Sequence, residues 1–165
     1  MLKKILQIAP LVLAGAVGVY LFYTYRVPPK LQPQEWQLTN LNGKEVNADL
    51  WQGKPVVINF WATWCGTCLQ EMPKLNKAAP ELFKEGFNIV CISDEDPAKL
   101  NRYQNKTGYP FLFLHSKVPL TEYGVHSYPT TYILNANNRV IVQRAGSILP
   151  FDDERFIERI LKETR

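Results

Sequence analysis

Two cysteines, Cys65 and Cys68, stand three positions apart directly after the apolar run 56–61. Where a strand hands over to a helix, this spacing places the two thiols one helical turn apart, close enough to form or break a disulfide bond. The first cysteine then lies at a helix N-terminus, where unpaired N–H groups and the helix dipole favour a thiolate. We therefore expect Cys65 to be the nucleophile and Cys68 to be the resolving thiol.

The cysteine usage favours redox chemistry over a disulfide scaffold or a zinc site. The chain has 3 cysteines, and an odd number leaves at least one without an intramolecular partner. A single Cys-x-x-Cys, without a second pair or a His-x3-5-His segment, does not supply four zinc ligands. Cys91 lies within the apolar run 87–93 and is predicted to be a buried structural thiol. We predict no bound metal and no cofactor.

Length and charge indicate one compact domain without a nucleic-acid-binding surface. A chain of 165 residues with 46% hydrophobic content can bury one ordinary core. The formal charge is +4, but four of the 19 Lys and Arg residues precede position 33 whereas all 15 Asp and Glu residues follow it. The charges therefore balance over 33–165, and no clustered basic face that nucleic-acid binding requires is apparent.

An uncharged segment near the N-terminus predicts a membrane anchor. Residues 5–25 carry no charged side chain and are flanked by lysines and by Arg26. About 20 apolar residues are needed to cross a bilayer core of about 30 Å, and the aromatic residues within 20–25 suit a membrane interface. A cleaved signal peptide is the alternative, because the segment 14–16 (AGA) imitates a cleavage site.

The domain boundary and the orientation follow from this anchor. Prolines within 28–33 predict a short, stiff stalk, so residues 1–34 are assigned to the anchor and stalk and 35–165 to the domain. Basic residues before the span favour a cytoplasmic N-terminus and a domain on the periplasmic or extracytoplasmic side of the cell membrane. Disulfides persist on that side, where a tethered dithiol has substrates.

The pattern of the remaining residues predicts an α/β fold in which helices cover a central mixed sheet. Buried strands are expected over 56–61, 87–93 and 111–114, hairpins over 36–47 and 130–143, and helices over 66–79, from Asp96 and over 151–163. Pro73 is expected to kink the helix after the cysteines, and Pro80 to begin a separate turn that ends at Gly86.

Three segments together resemble the thioredoxin fold: 60–68 (FWATWCGTC), Pro73, and 128–131 (YPTT). The N-terminal anchor, the added hairpin and a helix-strand insertion over about 97–115 make the chain similar to the membrane-anchored TlpA/ResA-type thiol-disulfide oxidoreductases. The resemblance covers about 35–165. It implies a thioredoxin-like mixed central sheet flanked by helices, with an extra N-terminal hairpin and a helix-strand insertion.

The resemblance also implies site residues beyond the cysteines. Pro129 would be a cis-proline that faces the dithiol, and the backbone of Tyr128 would bind an extended segment of the partner, so Trp64, Tyr128 and Pro129 are predicted to bind substrate. Glu71, three residues after Cys68, matches a glutamate that assists proton transfer in ResA-type members. Without the resemblance, a trans proline and a solvated helix carboxylate are the alternative interpretations.

Two positions depart from the thioredoxin pattern. Asn59 occupies a position where thioredoxins usually carry a buried acid, so the Cys68 thiol must exchange its proton with another group or with water. Gly66-Thr67 replaces the usual Gly-Pro between the cysteines, and such changes alter the reduction potential on this fold by as much as about 150 mV. The first departure gives Glu71 more weight, and the second leaves the redox direction open.

The predicted function is reduction of disulfides in exported proteins, such as apocytochrome c, with electrons supplied by a transmembrane thiol carrier. The same dithiol acting as an oxidant that forms disulfides is one alternative. A Cu(I)-binding assembly module, in which His115 or His126 assists the two cysteines, is another. A peroxidase is disfavoured because the Pro-x3-Thr-x2-Cys pattern is missing.

Overall fold

The apolar runs of the sequence assemble into one mixed sheet. The computed structural model describes residues 2–164, apart from the side chains of 2–9, 48 and 50. Within these residues there are seven strands: β1 (Leu38–Asn40), β2 (Glu45–Val46), β3 (Val56–Phe60), β4 (Asn88–Ser93), β5 (Leu112–Ser116), β6 (Thr130–Leu134) and β7 (Val140–Ala145). Their order across the sheet is β2-β1-β5-β4-β3-β6-β7.

The strand that leads to the cysteines lies in the middle of this sheet. β3 pairs in parallel with β4 and antiparallel with β6, and all five of its residues are buried. An unbroken apolar run is typical of a strand that is covered on both faces. The cysteines therefore follow a rigid, fully enclosed element.

Four helices flank the sheet in the described part of the chain: α1 (Leu2–Arg26), α2 (Gly66–Lys84), α3 (Pro97–Thr107) and α4 (Glu154–Thr164). Asp96 caps α3, since its carboxylate accepts a hydrogen bond from the Ala98 N–H at 2.7 Å. The apolar side of α4, which includes Phe156 and Ile160, is buried as its periodicity predicts. The prediction of a central mixed sheet flanked by helices is confirmed.

The N-terminal hairpin extends the central sheet. β1 pairs with β2 and, on its other side, with β5, so that Leu38 is opposite both Val46 and Ser116. The sequence predicts the hairpin and the insertion that contains α3 and β5. It does not predict that these two additions pair with each other, because a strand of three residues carries no signal for its second partner.

Helix α2 is longer than its prolines suggest. It is one helix with both Pro73 and Pro80 inside it, so the prediction of a separate turn that starts at Pro80 is wrong. Both prolines lie on the exposed side of α2. The carbonyl groups that lose their intrahelical donors on that side can bind water, and the buried side chains of α2 continue without interruption.

The end of α1 and the proline segment after it pack on the domain. Ser127 Oγ donates a hydrogen bond to the Tyr25 carbonyl at 2.9 Å, and Tyr132 Oη donates to the Pro29 carbonyl at 2.5 Å. The segment around Pro29 is therefore attached to the sheet, not a free-standing stalk.

No helix among the described residues combines the length and the apolar character needed to cross a membrane. The predicted span over 5–25 includes 5–9, whose side chains lie outside the described residues.

Candidate active site

The two cysteines lie where β3 ends and α2 begins. The turn between β3 and α2 is closed by a hydrogen bond from the Cys65 N–H to the Ala62 carbonyl at 3.1 Å. Cys65 is the N-cap residue of α2, and its Sγ accepts a hydrogen bond from the Cys68 N–H at 3.1 Å. The cysteines form a disulfide with a Cα–Cα distance of 5.2 Å. The same N–H can stabilise negative charge on the Cys65 sulfur when the disulfide is opened.

The dithiol is accessible from one side only. The exposed fraction is 6% for Cys65 and 1% for Cys68. A sulfur atom of a partner protein can therefore approach Cys65 more readily than Cys68. This asymmetry agrees with the predicted roles of nucleophile and resolving thiol.

The loop before β6 forms the opposite wall of the site. The peptide bond between Tyr128 and Pro129 is cis, as the resemblance implies. The Tyr128 ring meets the ring of Trp64 edge-on, with 5.6 Å between centroids. Trp64 is 70% exposed, which leaves a large aromatic surface beside Cys65 for an incoming polypeptide.

A groove of about 610 Å³ lies between these walls. Its lining combines the cysteine loop and the cis-proline loop and comprises Trp64, Cys65, Gly66, Thr67, Gln70, His126, Ser127 and Tyr128. The predicted residues Trp64, Cys65 and Tyr128 thus come together at one groove. Pro129 is buried at the start of β6 behind it.

Thr67, between the cysteines, links the two walls. Its Oγ1 lies 3.4 Å from Cys65 Sγ and 3.4 Å from the Tyr128 carbonyl oxygen, to which it can donate. The sequence identifies Thr67 only as a departure from the Gly-Pro pattern. A hydroxyl group in this place can donate to either neighbour, whereas proline could donate to neither.

Glu71 lies in the core and not in solvent. Its side chain is 1% exposed, so the alternative of a solvated helix carboxylate is wrong. Glu71 Oε1 accepts hydrogen bonds from Asn59 Nδ2 at 2.7 Å and from Thr131 Oγ1 at 3.1 Å. Glu71 Oε2 accepts from the Leu149 N–H at 2.6 Å. A buried carboxyl group with three donors is a structured part of the site.

Burial controls the protonation of this carboxyl group. Desolvation raises the pKa of Glu71 from 4.5 to about 7, against the opposing effect of the three hydrogen bonds. Glu71 is thus a group that can both hold and release a proton near neutral pH. It occupies the same side of α2 as Cys68, one turn further along, where both side chains are buried.

Cys91 is buried and free, as predicted. Burial raises the pKa of its thiol well above 9.0, and the nearby Glu71 charge raises it further. Cys91 therefore stays a neutral thiol and packs as an apolar side chain.

Several site residues are not among those predicted from the sequence. They are Thr63, Thr67, Glu95, Ser127, Thr131 and Leu149. His126, which the sequence suggests only as a Cu(I) ligand, also lines the groove. Glu95 follows β4, and the carboxyl ends of β3 and β4 meet at one edge because the two strands are parallel. That topology is a signal for Glu95, whereas nothing local marks Leu149, which contributes only its backbone N–H.

The residues that could assist metal binding lie apart. His126 lines the groove, but His115 Nδ1 donates to the Glu95 carbonyl at 3.0 Å. Within the part of the chain that the structure describes, no three His, Cys, Asp or Glu side chains are grouped as metal ligands.

Comparison with known proteins assigns this site to a class. The model of the AhpC/TSA family matches residues 30–143. The thiol-disulfide oxidoreductase ResA of Geobacillus kaustophilus (strain HTA426) is 31% identical, and the alignment covers 91% of each chain. The thioredoxin-like protein YneN of Bacillus subtilis (strain 168) is 32% identical over 82% of this chain and 85% of its own.

Solved structures support the same fold. A thioredoxin-like protein from Porphyromonas gingivalis superimposes with a TM-score of 0.67 at 21% identity and covers 84% of this chain and 97% of its own. The structure of a thiol:disulfide interchange protein DsbE from Chlorobium tepidum has a TM-score of 0.63 at 24% identity, and covers 86% of this chain and 96% of its own.

Proposed function

Because the chain belongs to the AhpC/TSA family and is a ResA-type thiol-disulfide oxidoreductase, we propose that it reduces disulfides in exported proteins. The observation that supports this most directly is the position of Cys65. It caps α2, it is the more exposed of the two cysteines, and it opens into a groove that is large enough for an extended segment of a client.

The exchange begins with the dithiol form. The Cys65 thiolate attacks one sulfur atom of a client disulfide, the S–S bond of the client breaks, and its other sulfur leaves as a thiolate that takes up a proton. The Cys68 thiol then loses its proton and attacks Cys65 Sγ. The mixed disulfide breaks, the client leaves with two thiols, and the protein keeps the two-electron oxidised Cys65–Cys68 pair.

Glu71 is the group we assign to the proton of Cys68. Cys68 is almost fully enclosed, so bulk water has little access to its thiol. Glu71 lies one helical turn away with a pKa raised to about 7 by burial, and a general base works best when its pKa is close to the operating pH. Asn59 cannot take this role, because its amide does not titrate, and it instead donates to Glu71.

Trp64 and Tyr128 are assigned to client binding. Their rings contact each other edge-on, and both residues line the groove together with Cys65. An extended client strand can lie along the Tyr128 backbone, while the exposed Trp64 ring covers apolar side chains next to the client cysteine. Pro129 fixes the direction of that backbone.

Two substitutions test this mechanism. Cys65→Ser should abolish reduction of insulin disulfides by the reduced protein, because no nucleophile remains. Cys68→Ser should accumulate a mixed disulfide through Cys65, detectable by mass spectrometry as one protein joined to one insulin chain. Full activity of Cys65→Ser would exclude the mechanism.

The direction of the reaction is tested separately by the reduction potential of the Cys65–Cys68 couple. A value of about −270 mV or lower supports a reductant, and a value of about −120 mV would assign the protein to disulfide formation instead. Equilibration with glutathione mixtures, followed by alkylation and mass spectrometry, measures it.

We further propose that the protein is anchored in the cell membrane through residues 5–25, with its N-terminus in the cytoplasm and its domain on the extracytoplasmic side. The absence of charge across this segment supports the anchor. A sustained reductant in that location needs electrons from a transmembrane thiol donor, and apocytochrome c is a suitable client. Alkaline carbonate extraction of membranes from expressing cells tests the anchor, and release of the full chain into the supernatant would contradict it.

A further inference from the structure

The turn that presents Cys65 is fastened to the sheet at a residue outside the Cys-x-x-Cys motif. Residues 61–65 connect the end of β3 to the start of α2 and belong to no strand. Thr63 lies in the middle of this turn. The Thr63 N–H donates to Glu95 Oε2 at 2.5 Å, and Thr63 Oγ1 donates to Glu95 Oε1 at 2.8 Å. Both oxygens of one carboxylate thus hold one residue of the turn, two positions before the nucleophile.

Glu95 is itself held in place. It follows β4, which is the parallel neighbour of β3. The Glu95 N–H donates to Ser93 Oγ at 3.3 Å, and the Glu95 carbonyl accepts from His115 Nδ1 at 3.0 Å. Hydrogen bonds from β4 and β5 therefore fix the backbone from which the carboxylate reaches Thr63.

The same carboxylate also acts electrostatically on the opposite wall of the groove. Burial, together with the charges of Asp94 and Glu95, raises the pKa of Tyr128 to about 12. Tyr128 is the residue before the cis-proline and packs against Trp64. Glu95 is thus hydrogen-bonded to the cysteine turn, and its charge also acts on the cis-proline loop.

We propose that Glu95 is a positioning residue for thiol-disulfide exchange, which holds the 62–65 turn through Thr63 and thereby fixes Cys65 relative to Cys68. In the oxidised protein the disulfide also restrains Cys65. In the dithiol form that bond is gone, and the Glu95–Thr63 pair then joins the turn on the N-terminal side of the nucleophile to the residues after β4, in addition to the hydrogen bond from the Cys65 N–H to the Ala62 carbonyl. The proposal depends on exchange at Cys65 and is independent of the direction in which the protein works.

A restraint of this kind has a measurable redox consequence. Holding the two sulfur atoms in register raises their effective concentration toward each other, which favours closure of the disulfide. Loss of the restraint should make closure less favourable by about tenfold, which corresponds to a rise in reduction potential of about 30 mV. A residue that stabilised both redox states equally would leave the potential unchanged.

Glu95→Ala and Glu95→Gln separate geometry from charge. Alanine removes both hydrogen bonds. Glutamine keeps them, because its carbonyl oxygen can accept from the Thr63 N–H and its amide can donate to Thr63 Oγ1, which is also an acceptor. We expect glutathione equilibration of the full-length protein to show the tenfold shift for Glu95→Ala and a shift below about twofold for Glu95→Gln.

Asp94→Asn is the matched control. The Asp94 carboxylate also acts electrostatically on Tyr128, but it accepts from the Leu120 N–H at 2.9 Å and not from the cysteine turn. Asp94→Asn removes the same charge as Glu95→Gln and should leave the equilibrium constant with glutathione at the wild-type value. Shifts of about tenfold in both Asp94→Asn and Glu95→Gln, as large as that of Glu95→Ala, would overturn the proposal in favour of a simple charge effect.

Thr63→Val keeps the proposal testable if Glu95→Ala does not fold. Valine has the shape of threonine and retains the backbone N–H donor, so only the Oγ1 bond to Glu95 is lost. We expect a shift of about threefold in the same direction as for Glu95→Ala, and a similar decrease in the rate at which the reduced protein reacts with oxidised glutathione. Wild-type values for both quantities in Thr63→Val, or in folded Glu95→Ala, would overturn the proposal. Cys65→Ser fails in a different way, since it abolishes exchange.

Discussion

Glu71 is the residue whose environment has the clearest consequence for pH. Its carboxyl group is buried beside the dithiol, and burial raises its pKa from 4.5 to about 7. Between these two pH values the folded protein keeps a proton on Glu71 that the unfolded chain releases. The folded state binds more protons in this window, so the free energy of unfolding falls as pH rises through it.

We expect this effect to amount to roughly 3 kcal/mol between pH 4.5 and 7, from about 1.36 kcal/mol for each pKa unit. Glu71→Gln cannot release a proton, so its free energy of unfolding should vary much less over the same range. Urea unfolding of the oxidised full-length protein at several pH values measures the difference between the two proteins.

The hydrogen bonds around Glu71 allow this substitution. A glutamine can accept from the Leu149 N–H through its carbonyl oxygen. Its amide can donate to Asn59 when the Asn59 side chain rotates so that Oδ1, which is buried without a partner in the described part of the structure, replaces Nδ2 at this contact. If the pH profiles of wild-type and Glu71→Gln were parallel, Glu71 would not be the group that titrates. Glu158→Gln is the control, because Glu158 is exposed on α4 and the substitution should leave the pH profile of the wild-type protein unchanged.

The chemistry of the two cysteines could be predicted because spacing along one helix determines it. The burial of Glu71 could have been predicted in the same way. It lies three residues after Cys68 and four before Leu75, on the side of α2 that faces the core. The donors to its carboxylate could not, because Asn59, Thr131 and the Leu149 N–H are distant in sequence and meet only in the folded sheet.

At the level of elements, α2 shows how a helix can tolerate a proline. Pro80 lies within its fourth turn, where it cannot donate to the Asn76 carbonyl. The ring is exposed, so no core contact depends on it. The sequence suggested a break here because proline is the strongest local signal against a helix, yet the buried residues Leu75, Ala79 and Leu82 hold the helix on the sheet.

Pro80→Ala should therefore stabilise the protein. Alanine restores a backbone donor and removes a steric conflict worth about 3 kcal/mol in a helix interior, while the unfolded chain gains up to about 1 kcal/mol of conformational freedom. We expect a net increase of about 2 kcal/mol in the free energy of unfolding, measured by urea denaturation. Lys77→Ala, at another exposed position of α2, should change it by less than about 0.5 kcal/mol. A less stable Pro80→Ala protein would show that Pro80 has a role that the fold does not reveal.

At the level of the whole molecule, the N-terminal helix and the active site share a contact. The ring of Tyr25, near the end of α1, meets the ring of His126 with 6.3 Å between centroids, and Ser127 Oγ donates to the Tyr25 carbonyl. His126 and Ser127 also line the groove beside Cys65. The prolines predicted a stiff stalk, but which surface they touch depends on Gly124 and Tyr132, about a hundred residues away, and no local pattern reports such a contact.

Gly124 is where this attachment can be tested. Its φ is +76°, and a Cβ atom there would lie 2.9 Å from Pro29 Cβ. Gly124→Ala should therefore displace Pro29 in addition to the backbone strain of about 1–2 kcal/mol that a left-handed residue with a side chain incurs. We expect trypsin to cleave after Arg26 and Lys30 at least severalfold faster in Gly124→Ala than in the wild-type protein.

Gly108→Ala separates the collision from the strain. Gly108 has a similar φ of +64°, but nothing lies within 4 Å of the Cβ position, so the substitution introduces the strain alone. Both variants should lose the free energy of unfolding that corresponds to the strain, whereas only Gly124→Ala should also lose the packing of Pro29 and accelerate cleavage between α1 and the domain. Equal cleavage rates in the two variants would mean that Pro29 does not fasten the N-terminal segment. Because Ser127 lies in the same loop as the groove, a detached segment should also weaken client binding, which would appear as a higher KM for insulin in Gly124→Ala and not in Gly108→Ala.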